Sequence, residues 1–205
     1  MNAKHKAIRL GLTGGVGCGK TTAAAYLKEL GAAVVNADEI SHALTQPNGA
    51  ALPAILEWFG EAVFLEDGTL DRVKLGDIVF NDPAQRIKLE SIIHPAVQRE
   101  MLNQIDEADQ AGIDVVVLEV PLLFETGMDA LCDLVWVMST DLEHQVLRIM
   151  NRDQLTRAQA MARIESQMPL EDKEKRADRI VVTTKSIEDV RRELNSLYKE
   201  LIRRK

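Results

Sequence analysis

The chain has 205 residues, of which 46% are hydrophobic and 28% charged, and a net charge of −7. That length can bury a sizeable core in one α/β domain with insertions, and the acidic balance argues against a general nucleic-acid binder, which needs a basic face. No run approaches the roughly 18 apolar residues of a membrane span, and two cysteines, Cys18 and Cys132, make no disulfide framework, which points to a reducing, cytoplasmic setting.

In chain order, Met1-Asn2-Ala3-Lys4-His5-Lys6 is basic and precedes an apolar run. Arg9 and Gly11 interrupt that run, so it departs from a secretion signal. Ala7-Ile8-Arg9-Leu10-Gly11-Leu12 reads instead as a short buried strand. It leads into Gly14-Gly15-Val16-Gly17-Cys18-Gly19-Lys20-Thr21, the G-x-x-x-x-G-K-[ST] phosphate loop of a nucleotide triphosphatase or kinase. Glycines let the backbone wrap closely around a polyphosphate, and the following helix adds its positive end. Lys20 is expected to reach the β/γ oxygens of ATP, and the Thr21 hydroxyl to ligate Mg²⁺. Cys18 reads as a small residue filling a loop position rather than a reactive thiol. Ala23, Leu27 and Leu30 then mark one helical face, and Gly31 stands where that helix should stop.

The next strands are Ala32-Ala33-Val34-Val35, ending in Asn36-Ala37-Asp38, and Val115-Val116-Val117-Leu118, ending in Glu119. Leu134-Val135-Trp136-Val137-Met138 and Ile180-Val181-Val182 follow, and Ile187, Val190, Leu194, Leu197 and Leu201 step by three and four along a last helix. Short apolar strands alternating with helices predict a parallel sheet covered on both faces, with ligands at the strands' carboxyl ends. Asp38, Glu119 and the loop after Thr13 fall there.

About eighty residues separate the second and third strands, far more than a crossover needs. Pro47-Asn48-Gly49, Asp67-Gly68 and Asp82-Pro83 punctuate this stretch, which otherwise reads as helical. Residues 46–112 are therefore expected to be a helical insertion, suited to an acceptor or else a structural excursion with no ligand role. Residues 148–179 carry eight basic against six acidic side chains. Two readings stand for them: an arginine-bearing lid over the triphosphate, or a solvated face with ion pairs one turn apart. The expected division is a core of residues 1–45, 113–147 and 178–205, an acceptor domain of 46–112, and a lid of 148–177.

These motifs in this order resemble the dephospho-coenzyme A kinase family over nearly the whole chain. The phosphate loop matches that family's opening, and Asn36-Ala37-Asp38-Glu39-Ile40-Ser41-His42 its second motif. His94-Pro95, Pro121-Leu122-Leu123-Phe124-Glu125, Gln145-Val146-Leu147-Arg148, the Arg163…Gln167 spacing and Ala177-Asp178 match later ones. Departures are Asn36 where Asp is usual, Glu119 where many members have Asp, Cys18 for Ser, and Thr183-Thr184-Lys185 for Asn-x-Gly near the adenine.

The resemblance implies an α/β, parallel-sheet P-loop kinase core with a helical acceptor insertion and a helical lid. It implies that ATP phosphorylates the ribose 3′-hydroxyl of dephospho-coenzyme A. The catalytic set is then Lys20, Asp38 and Arg148. Asp38 takes the acceptor's proton, or else caps the helix that follows. His94 contacts the acceptor, or else is structural; before Pro95 it is expected in extended or turn geometry. Glu119 binds Mg²⁺ through water, or else only hydrogen-bonds within the fold. The 121–125 stretch shapes the acceptor pocket or packs in the core. A nucleoside or nucleotide monophosphate kinase and a non-catalytic nucleotide switch are the alternatives. Oligomeric state is not legible.

Overall fold

A computed structural model describes residues 6–203; all of the basic N-terminal stretch except Lys6 lies outside them. Five strands form one sheet: β1 (Ile8–Gly14), β2 (Ala33–Asn36), β3 (Val115–Glu119), β4 (Leu134–Ser139) and β5 (Arg179–Val182). The order is β2-β3-β1-β4-β5, and every pairing is parallel. The pattern of apolar runs follows from this. All five residues of β3 are buried, because it has a strand on each side and cover on both faces. β5 lies at an edge, and of its four residues only Val181 is buried.

The helices are α1 (Lys20–Glu29), α2 (Ala37–Leu44), α3 (Leu52–Phe59), α4 (Arg72–Asn81), α5 (Pro83–Gln110), α6 (Leu142–Asp153), α7 (Arg157–Glu165), α8 (Leu170–Lys175) and α9 (Ile187–Arg203). On one face of the sheet, Ala23, Ala24 and Leu27 of α1 and Leu194, Tyr198 and Leu201 of α9 join Leu10, Leu12, Val117, Trp136 and Met138 in one apolar cluster. Burying each large side chain of this kind contributes about 2 kcal/mol. Ile187 departs from the expected stripe: it begins α9 but is 66% exposed. Gly31 follows α1 at φ 106°, the left-handed conformation that ends a helix cheaply only at glycine.

The chain divides into two compact units, Met1–Asn36 with Ile105–Lys205, and Ala37–Gln104. These bounds differ from the expected 45/46 and 112/113. The Arg72 guanidinium donates to Thr45 Oγ1 at 2.6 Å, tying the end of α2 to the start of α4, so α2 belongs with the helical unit. At the far end, Asp109 Oδ1 accepts from Ala7 N at 2.6 Å, so the last turns of α5 belong with the sheet. Residues 148–177 fall within the first unit and are not a compact unit of their own.

The helical unit has its own small core of Ala51, Ile55, Val63 and Leu75. Two of its helix starts are encoded locally. Asp71 accepts from Lys74 N at 3.0 Å and caps α4; Asp82 accepts from Ala84 N at 2.8 Å ahead of Pro83 and α5. No described helix is long and apolar enough to cross a membrane.

Candidate active site

Because all strands are parallel, the carboxyl ends of β1, β2, β3, β4 and β5 share one edge of the sheet. At that edge β1 runs into the phosphate loop and α1. Gly17 has φ 78°, a conformation that side chains disfavour. Gly15 is glycine for a different reason: a Cβ there would collide with the amide of Gln145. Lys20 Nζ donates to the carbonyls of Gly14 at 3.1 Å and Gly15 at 2.9 Å, which keeps its ammonium beside the loop.

The β-sheet register places Glu119 level with Leu12 on one side and Asn36 on the other. Glu119 is 4% exposed. Thr21 Oγ1 donates to its Oε1 at 2.7 Å, and Asn36 Nδ2 donates to its Oε2 at 3.0 Å. The two departures at positions 36 and 119 are therefore in contact. An amide at 36 supplies a donor to the buried carboxylate, where a second carboxylate would repel it. A hydroxyl and a carboxylate, both hard oxygen donors, fit Mg²⁺. Among the described residues no three His, Cys, Asp or Glu side chains form a metal cage. A Mg²⁺ carried by nucleotide phosphates needs few protein ligands and keeps several waters.

Behind the loop lie α6 and the end of β5. Gln145 is buried, and its Nε2 donates to Val16 O at 2.9 Å and to Cys18 Sγ at 3.2 Å. Arg148 Nη1 donates to Gly17 O at 3.1 Å and Thr183 Oγ1 at 2.9 Å, and its Nη2 to Thr183 O at 2.7 Å. Thr183 Oγ1 donates in turn to Cys18 O at 3.2 Å. Gln167 accepts from Val16 N at 3.2 Å. Cys18 is fully buried in the apolar cluster, and burial pushes its thiol up despite Lys20 nearby. It is a packing residue, as its small size suggested. A cavity of about 270 Å³ opens beside the loop, with Gly19, Thr22, Tyr26, Arg148, Thr183 and Lys185 among its walls; Ile187 lines it too.

The other basic residues of 148–179 pair mostly with carboxylates. Arg152 and Arg163 both meet Asp153, Arg157 meets Glu143, and Arg176 meets Asp129 while stacking on Phe124. The exposed arginines are thus ion-paired, but with carboxylates 1, 10, 14 and 47 positions away and not one turn along a helix. Lys173 differs: it is fully buried, and its Nζ donates to Pro121 O at 2.7 Å and lies 2.8 Å from Glu125 Oε1. Glu125 also accepts from Met168 N at 3.0 Å. Burial alone would raise the Glu125 carboxyl, but the bonds from Lys173 and Met168 outweigh it and hold the group below its ordinary range. Thr13 Oγ1 donates to the same Pro121 carbonyl at 3.2 Å. In the 121–125 stretch Leu123 and Phe124 are buried, and Leu122 is exposed.

Two candidates lie in the helical unit. Asp38 is exposed and is the second residue of α2, which starts at Ala37. His94 is half-buried within α5, and the helix continues through Pro95. The extended geometry expected before a proline is thus overridden. Proline 95 removes one helical N–H from a 28-residue helix, and the remaining bonds carry the chain through.

The loop, the parallel sheet and the carboxylate facing Thr21 define a P-loop kinase. The chain belongs to the dephospho-CoA kinase family, whose sequence model matches residues 8–189. It is 41% identical over 191 residues to a dephospho-CoA kinase of Carboxydothermus hydrogenoformans, covering 93% of each chain. A solved dephospho-CoA kinase from Campylobacter jejuni superposes with TM-score 0.72 at 32% identity, over 95% of this chain and 97% of that one. A solved Thermus thermophilus protein superposes with TM-score 0.82 at 33% identity, over 96% and 98%.

The sequence placed Gln145 and Gln167 in family motifs and Thr183 in the segment near the adenine without giving any of them a role of its own, and it singled out nothing at Lys173. Gln145 had one available signal, its spacing of three from Arg148 on one helix face. Lys173 had none, since it sits in a run of charges that reads as solvated.

Proposed function

We propose that this chain transfers the terminal phosphoryl group of ATP to the ribose 3′-hydroxyl of dephospho-CoA, giving coenzyme A. The observation that carries the reading is the phosphate loop with its Thr21–Glu119 pair, in a chain that belongs to the dephospho-CoA kinase family.

Phosphoryl transfer to an alcohol needs a positioned triphosphate, neutralised charge and an acceptor for the hydroxyl proton. The loop of residues 14–21 cradles the phosphates, with the amides of Gly17 and Gly19 left to donate to them, and the cavity beside Gly19 and Thr183 takes the nucleoside. Lys20 turns from the Gly14 and Gly15 carbonyls to the β/γ oxygens, exchanging neutral acceptors for charged ones. Among the described residues Arg148 is bound to neutral oxygens of Gly17 and Thr183, which sets its guanidinium beside the loop. Thr21 and, through water, Glu119 would hold Mg²⁺, which would supply neutralisation of charge on the phosphate oxygens. Asp38 orients the ribose hydroxyl and takes its proton; chain continuity sets it two residues past Asn36. His94 contacts the acceptor, and residues 46–112 supply the acceptor domain.

The test is incubation with ATP, Mg²⁺ and a panel of acceptors. Coenzyme A should appear from dephospho-CoA, with nucleosides and nucleoside monophosphates inert. Phosphate on a nucleoside monophosphate with dephospho-CoA inert would identify the nucleotide-kinase alternative. Nucleotide binding with no acceptor phosphorylated would identify a switch.

A further inference from the structure

We propose that Gln145 and Thr183 are positioning residues: together with Arg148 they brace the phosphate loop from behind and set the direction of its amides before any nucleotide arrives. Three consecutive loop carbonyls are each held by a different side chain. Val16 O accepts from Gln145 Nε2 at 2.9 Å, Gly17 O from Arg148 Nη1 at 3.1 Å, and Cys18 O from Thr183 Oγ1 at 3.2 Å.

The described peptide bonds are trans. In a trans, planar peptide the carbonyl and the next residue's N–H point in opposite directions. Holding the carbonyls of 16, 17 and 18 on the outer side therefore directs the N–H groups of Gly17, Cys18 and Gly19 away from the brace. Cys18 N is turned onto Gly15 O at 3.2 Å and closes a tight turn. The amides of Gly17 and Gly19 are left for the anion.

The brace is interlocked. Arg148 also donates to the hydroxyl and the carbonyl of Thr183 at 2.9 and 2.7 Å. Gln145 and Arg148 stand three residues apart on α6, hence on one face. Gln145 and Thr183 are both buried, which limits competition from water at their side chains. The absent Cβ of Gly15 is what admits the Gln145 amide. A loop left to rotate must be ordered by its ligand, whereas a braced loop presents its donors already oriented, and affinity gains by that difference.

The inference rests on the nucleotide half of the proposed reaction and not on the identity of the acceptor. The experiment is calorimetric binding of inorganic tripolyphosphate, a probe of the loop alone, to the full chain and to Thr183→Val, Thr183→Ser and Gln145→Met. Thr183→Val and Gln145→Met should each weaken binding about tenfold, the loss of one orienting hydrogen bond. Thr183→Ser, which keeps the hydroxyl, should restore most of it. KM for ATP should rise in the two weakened variants while KM for dephospho-CoA holds.

Parental affinity for tripolyphosphate in variants whose melting shows them folded overturns the brace, as does an equal loss in Thr183→Ser and Thr183→Val. Should Thr183→Val not fold, Gln145→Met decides alone. A parent chain that does not bind tripolyphosphate overturns the nucleotide reading itself.

Discussion

Position 38 holds an aspartate in the first turn of α2, where a negative side chain also suits the helix dipole. Its proposed work is to take the acceptor's proton, and an amide of the same shape cannot do that. Asp38→Asn should lower kcat by about a hundredfold or more, while calorimetry finds ATP affinity unchanged; a fully active variant removes Asp38 from the mechanism. Cys132 offers a second measurement at this scale. Burial pushes its thiol up to about 12, with Asp129 and Asp133 adding to the effect. The unfolded thiol ionises nearer its ordinary value of 9.0, so the folded chain holds this proton where the unfolded chain has lost it. Its contribution to stability is complete below pH 9 and is lost as pH climbs toward 12. Cys132→Ala should flatten the fall in urea midpoint over that alkaline range.

At the scale of elements, α8 is tied to the sheet by a buried ammonium. Lys173 joins it to the carbonyl of Pro121 and to Glu125, in the loop after β3, and Ser139 of β4 donates to Glu174 beside it. Removing the buried ammonium leaves the Pro121 carbonyl without its donor and the partly exposed Glu125 carboxylate without its partner. Lys173→Met should cost about 1–3 kcal/mol, read from denaturant unfolding. The depressed Glu125 carboxyl contributes stability above the ordinary carboxylate range and loses it as pH falls through its folded value. The same variant should therefore show a shallower loss of stability in acid. At this scale the apolar runs were legible because a strand buried on both faces must be apolar throughout: each predicted strand is found, with ends moved by a residue or two, as where Ser139 and Arg179 extend β4 and β5. The lid was less legible. Arginine spacing in 148–179 carries no information about which carboxylate each one meets, and Asp153 and Glu143 took those at 152, 157 and 163.

Across the whole molecule, the parallel sheet gathers groups that the chain holds far apart. Nucleotide binding should register as stability of the fold, since ligand bound to the native state alone opposes unfolding. A non-hydrolysable ATP analogue at about a hundred times its Kd should stabilise the chain by about 2.7 kcal/mol, and Asp38→Asn should show the same gain in thermal melting. An unchanged melting curve at saturating analogue would deny binding to the folded state. The sequence by itself determined the ligand class, the strand and helix order and the acids to inspect, because a phosphate loop is contiguous and encodes its own backbone path, and periodicity reports burial. Only the tertiary structure decided that Asn36 and Thr21 share Glu119, that His94 lies within a helix, and that Gln145, Arg148 and Thr183 hold the loop. Those partners lie 129 to 165 positions from the carbonyls they grip. No local pattern encodes such a pairing; it exists only once the strands have closed into a sheet.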